Sequence, residues 1–272
     1  MRKTGCTMIL AAGALAGAMV LSGSDATGQA ASGQTQAPAQ TKSAGSATTH
    51  KAAASLYDRA LLRPSLLTAK APATYKVKFV TTKGDFVISV TRAWSPLGAD
   101  RFYNLARHHF FDNASFFRAL KGFVVQWGIS AYPPVSAAWS HAPIKDEPVV
   151  QGNKKGFVTF AKGGPDSRTT EVFINLRDND VEPNNLDKMG FAAFGEVTEG
   201  MEVVEQLYNG YGDGADMGGN GPLQEKIEKI GKSYVDKDFP LLDSIKMTTL
   251  IVPEGATPAK KPAAKPASPS GH

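Results

Sequence analysis

The sequence predicts a mainly-β domain, a closed antiparallel barrel capped by two α-helices, over about residues 72–252. Three observations carry this. Short runs of alternating apolar residues recur across the span, punctuated by Gly, Pro, Asn and Asp. Only two segments show helical spacing, and no regular strand–helix alternation connects them. The chain is 42% hydrophobic, which supplies a sizeable core.

The elements follow in order. Tyr75, Val77, Phe79 and Thr81 alternate with Lys76, Lys78 and Val80, and Phe86, Ile88 and Val90 repeat the pattern. Lys83-Gly84 lies between, so the pair reads as a hairpin with one buried face. A helix follows, with Ser95 placed to cap it and Pro96 at its first position, where a missing N–H is harmless. Phe102, Leu105 and Ala106 form its inward stripe, and Asp112-Asn113 turns the chain. Strand-like runs then cover Ser115–Leu120, Phe123–Gln126, Gly156–Phe160, Val172–Leu176, Ala192–Val197 and Asp243–Leu250. A second helix is predicted over Met201–Tyr208, with Val204, Leu207 and Tyr208 on one face. Six to eight strands with two helices fit a closed barrel.

The ends differ from the middle. Residues 1–28 read as an export signal: Arg2 and Lys3, an uncharged apolar run from Met8 to Leu21, then small residues. That run is shorter than the roughly 20 residues of a spanning helix. Cys6, the one cysteine, precedes it, so the mature chain would hold no thiol, no disulfide and no thiol nucleophile. A periplasmic or secreted location is expected. Residues 29–71 read as a flexible Ala/Ser/Thr/Gln-rich linker and 253–272 as a disordered Lys/Pro/Ala tail. The net charge of +5 is concentrated in these ends, so neither nucleic acid nor an obligate membrane partner is expected.

Familiar chemistries fail. The five histidines show no metal-ligand spacing, and no nucleophile elbow or phosphate loop appears. No metal and no cofactor are expected. Gly212-Asp213-Gly214 and Gly218-Gly219-Asn220-Gly221 read as a long surface loop. What remains is Arg118 inside the apolar run Ser115–Gly128, followed by Gln126 on the next strand. An Arg there needs partners or a ligand, because unpaired burial is costly. A structural Arg and a binding-site Arg both fit. Two further blocks, Phe157–Asn175 and Leu186–Val204, complete the pattern.

Together the three blocks resemble the cyclophilin family over about residues 74–250. The carrying motifs are Phe116-Phe117-Arg118 through Gly122-Phe123 to Gln126-Trp127-Gly128, then Phe160-Ala161 with Thr170-Glu171-Val172-Phe173-Ile174, then Phe194-Gly195-Glu196-Val197 with Glu199-Gly200-Met201. The resemblance implies an eight-stranded antiparallel barrel with two capping helices and a peptide groove on its outside. It implies peptidyl-prolyl cis-trans isomerisation of proline-containing polypeptides by a monomer. Arg118, Gln126 and Phe123 would be catalytic. Val124, Ala161, Lys162, Glu171, Phe173, Leu186 and Phe191 would bind substrate. The sequence departs from the pattern at Glu171 (usually Gln), Phe117 (His), Lys121 (Pro), Lys162 (Asn) and Asn185 (Trp in many members). Glu171 is expected to repel acidic substrates or to pair with Arg118 or Lys162. A peptide-binding or chaperone module with little catalysis is the alternative reading.

Overall fold

The computed structural model describes residues 56–253. The signal segment, the linker up to Ser55 and the tail from Glu254 lie outside the described residues. Eight strands form one antiparallel sheet: β1 Thr74–Thr81, β2 Asp85–Thr91, β3 Arg118–Leu120, β4 Val124–Trp127, β5 Phe157–Phe160, β6 Val172–Asn175, β7 Ala193–Glu199 and β8 Ile245–Ile251. Their order is β3-β4-β6-β5-β7-β2-β1-β8.

The sheet curls into a half-barrel rather than the closed barrel expected. Its edge strands, β3 and β8, share no ladder. The chain just before each meets at a single bridge, Ser115–Ser244. Two hydrogen bonds flank it, from Phe116 N to the Asp243 carbonyl (3.0 Å) and from Ile245 N to the Ala114 carbonyl (2.8 Å). With only three residues, β3 ends before a second row of bonds can form.

The hairpin of β1 and β2 runs in register from Thr74 opposite Thr91 to Val80 opposite Asp85. Its inward residues, Tyr75, Val77, Phe79, Phe86, Ile88 and Val90, are buried in the main core. Phe79 stacks on Phe86 at 4.9 Å, and Trp127 meets Phe79 edge-on at 5.7 Å. Trp127 fills the concave side of the sheet.

Among the described residues the helices are α1 Pro96–Arg107, α2 Pro133–Trp139, α3 Met201–Glu205, α4 Gln224–Ile230 and α5 Lys232–Asp238. The first and third stand where helical spacing placed them, although α3 stops before Tyr208. Phe102, Leu105 and Ala106 of α1 face the core. Its N-terminus is not capped by the Ser95 hydroxyl. The Glu147 carboxylate does this instead, accepting from Ser95 Oγ and from the amides of Leu97 and Gly98. A carboxylate suits the orphan amides and the positive end of the helix dipole.

Helices α2, α4 and α5 were not foreseen. Gly231, at φ +77°, breaks the chain between α4 and α5, and a Cβ there would lie 2.5 Å from the Ala131 carbonyl. Ile227, Tyr234 and Val235 from these helices pack on Phe117 and Ile129 in a cluster of their own. Phe117, which replaces the histidine usual before the Arg, is thus an anchor for α4 and α5.

The end of the expected linker differs too. Short 3-10 turns at Arg59–Leu62 and Pro64–Leu66 bring Leu61 into the core. Trp139 donates to the Leu61 carbonyl at 2.9 Å, and Asn104 clasps Ala69 through both its amide atoms. These side-chain anchors act together with the segment's own apolar residues, since Leu61 and Ala71 are buried in the main core and Tyr57 and Leu67 pack against it.

Candidate active site

Strand alternation decides what the convex face carries. On β4, Val125 and Trp127 point into the core, so Val124 and Gln126 point outward. Register then aligns a row across the sheet: Arg118 opposite Gln126, Gln126 opposite Phe173, Phe173 opposite Thr159. Glu171, two residues before Phe173, shares that face.

Arg118 is 1% exposed. Its Nε donates to Asp213 Oδ1 at 2.5 Å, its Nη2 to Oδ2 at 3.3 Å, and its Nη1 to Gln126 Oε1 at 3.0 Å. Gln126 Nε2 in turn donates to Glu171 Oε2 at 2.8 Å. The chain Asp213–Arg118–Gln126–Glu171 therefore fixes the Gln126 amide with its oxygen toward the guanidinium. The charged side chain meets its burial cost through these bonds.

Beside this network lies an apolar cluster of Phe123, Val124, Ala161, Phe173, Leu186 and Phe191, separate from the main core. Phe173 and Phe191 meet edge-on at 5.9 Å. The Phe123 carbonyl accepts from Leu176 N and from Asn179 Nδ2, which holds the bend between β3 and β4. Ala161 is tied to Glu171 through its backbone N–H (2.9 Å). Lys162 sits over the Phe191 ring at 5.3 Å and pairs with Asp146 at 2.9 Å. The structure thus brings all ten sequence-predicted residues onto one face, as a polar row beside an apolar cluster, with Lys162 at the cluster's edge.

Glu171 does not pair directly with Arg118 or Lys162, as the sequence led us to expect. Gln126 stands between it and the arginine, and Asp146 takes the lysine. Burial lifts its pKa from the ordinary 4.5 to about 7; donation from Gln126 and the nearby Arg118 oppose the rise, and Glu228 adds to it. Between about pH 4.5 and 7 the folded protein holds this proton more tightly than the unfolded chain does. Stability should therefore fall as pH rises through that window, by on the order of 3 kcal/mol, and level off above it. Glu171→Gln should remove that decline. Thermal melts from pH 4 to 8 check this: an undiminished decline in the variant would assign the effect to other groups.

Asp213 escaped the sequence reading. Its signals were an acid bracketed by glycines and a buried Arg in need of a carboxylate. Because the two stand 95 positions apart, nothing local joined them.

A sequence model of the family described as cyclophilin type peptidyl-prolyl cis-trans isomerase/CLD matches residues 76–232. The chain belongs to this family. It is an isomerase of the peptidyl-prolyl cis-trans kind. A peptidyl-prolyl cis-trans isomerase of Acinetobacter baylyi is 31% identical over 147 residues, covering 53% of this chain and 77% of that one. Peptidyl-prolyl cis-trans isomerase B of Escherichia coli is 33% identical over 137 residues, covering 48% and 82%. A crystal structure of a Cryptosporidium parvum cyclophilin aligns with a TM-score of 0.47 at 18% identity, covering 66% of this chain and 99% of that one. Within this cyclophilin, the matched segment includes every residue of the polar row, of the apolar cluster and of the Asp213 loop.

Proposed function

We propose that this cyclophilin accelerates rotation about X-Pro bonds in exported polypeptides, acts as a monomer, and so assists their folding in the periplasm or outside the cell. The observation that carries the reading is the guanidinium of Arg118, hydrogen-bonded in place on the same face as the apolar cluster.

Rotation about a peptide bond faces a barrier of about 18–20 kcal/mol because of C–N double-bond character. X-Pro bonds populate both isomers but exchange over roughly tens to hundreds of seconds. In the twisted state the proline nitrogen becomes pyramidal and regains a lone pair. A guanidinium N–H beside it donates to that lone pair, an interaction the planar ground state does not offer. Arg suits the task because its fork is rigid and always charged. The cluster of Phe123, Val124, Ala161, Phe173, Leu186 and Phe191 holds the proline ring, and Gln126 grips substrate backbone. Lys162 and Glu171 border the groove. No nucleophile or general base is required.

Export rests on residues 1–28, read as a cleaved signal, with 29–55 as a linker and the tail as a solvated extension. The test of activity is cis-to-trans exchange of short X-Pro peptides by the full chain. Acceleration for at least one X is expected; none across several X residues would overturn it. Recovery of the chain in the cytoplasmic fraction alone would overturn export. A peptide-binding module with little catalysis is the second reading, favoured by the near-complete burial of Arg118. It predicts binding of a proline peptide without acceleration in the same assay.

A further inference from the structure

We infer that the Gly-rich loop 210–221 is a positioning device for the isomerase reaction, with Asp213 as the residue that aims the guanidinium of Arg118; this rests on the active-site reading above. The carboxylate grips one edge of the fork, at Nε and Nη2, while Gln126 Oε1 holds Nη1. All three nitrogens are thereby fixed. Of five N–H donors three are used, which leaves one on each Nη. Those two point in directions set by the plane that Asp213 and Gln126 define. A long side chain loses rotamer freedom when it is held, and here that freedom is given up on folding rather than when substrate arrives.

The loop is built around this carboxylate. The Asp213 carbonyl accepts from Gly221 N at 2.7 Å, and Ala215 N donates back to the Gly221 carbonyl at 3.1 Å. A Cβ on Gly219 would lie 2.1 Å from the Asp213 carbonyl oxygen, and one on Gly221 2.7 Å from it. Glycine at these two places is a packing requirement of where Asp213 sits. Gly212, at φ +67°, delivers the chain into the turn. Tyr211, between the rings of Tyr208 and Phe239 at 5.0 and 5.2 Å, pins its start. The Asp213 side chain is 20% exposed against 1% for Arg118, so the loop lies on the solvent side of the pair.

The test compares Arg118→Ala, Asp213→Asn, Asp213→Glu and the double variant Arg118→Ala/Asp213→Asn in the full chain. Peptide exchange gives kcat, NMR titration gives the affinity for a proline peptide, and thermal melts report folding. Asp213→Asn is expected to lower kcat by about tenfold or more, with peptide affinity held within about twofold, and Asp213→Glu to recover part of the loss. The double variant should be no slower than Arg118→Ala alone, because Asp213 acts through the arginine. An Asp213→Asn enzyme with kcat unchanged or raised would overturn the inference, as would losses that multiply in the double variant. Should Asp213→Asn fail to fold, Gly219→Ala displaces the same carboxylate through its backbone and should give the same loss of kcat; unchanged kcat there also overturns it. If Arg118→Ala itself keeps full activity, the active-site reading falls first. If only Asp213→Asn is silent, the active-site reading stands and this one does not.

Discussion

Replacing Arg118 by Ala should lower kcat/KM for X-Pro exchange by about a hundredfold or more, the scale seen when a preorganised donor to a developing charge is removed. That loss corresponds to about 2.7 kcal/mol of transition-state stabilisation. The size follows from the setting. Arg118 is buried, so its remaining N–H groups act in a medium far less screening than water. Asp213 and Gln126 already hold it, so little reorganisation accompanies the twist. Arg118→Lys should not rescue the rate, because a single ammonium cannot grip both carboxylate oxygens of Asp213 and the Gln126 oxygen in one plane. Peptide-exchange kinetics of both variants decide this, with melts confirming the fold. An Ala variant within about threefold of the parent would remove Arg118 from the chemistry.

Trp127→Ala should cost about 3–5 kcal/mol of stability, the range for truncating a large buried aromatic. Trp127 has no exposed surface and touches the rings of Phe79, Phe86 and Phe116 at 5.7, 6.5 and 5.6 Å. Removing it opens a cavity at the centre of the curled sheet. For a domain of this size the loss should lower the melting temperature by roughly 10 °C. Trp127→Phe should cost much less, for a reason beyond volume. The Trp127 indole N–H is buried without a hydrogen-bond partner, and an orphan donor carries a penalty of about 1–3 kcal/mol that Phe does not incur. Equal melting temperatures for the Ala and Phe variants would contradict both parts of the argument.

The elements legible in the sequence were those whose signal is local. Period-two alternation placed the β1–β2 hairpin, and Phe102, Leu105 and Ala106 marked the inner stripe of α1. The outward pairing of Val124 with Gln126, and of Glu171 with Phe173, followed from the same periodicity. What depended on distant partners was not legible. The barrel was expected to close, but closure depends on how far β3 and β8 run alongside each other, and one bridge ends that contact. Ser95 looked like a cap until Glu147, some fifty residues on, took the amides. Leu61 was read with the polar linker before it, although Leu56, Leu61, Leu62, Leu66 and Leu67 already mark a change of composition there, and Trp139 and Asn104 are the distant partners that fix the segment. Asp213 looked like loop filler because its meaning lies in Arg118.

The four residues of β4 carry two interleaved messages. Val125 and Trp127 supply volume to the interior, while Val124 and Gln126 supply the apolar cluster and the polar row of the outer face. The two are read in opposite phases of one pleat, so each can drift under its own selection while the spacing holds. A single residue inserted or deleted between Phe123 and Val124 would exchange the phases, driving the Gln126 amide inward and setting the indole on the outer face. A substitution on this strand alters one face; a change of count alters both.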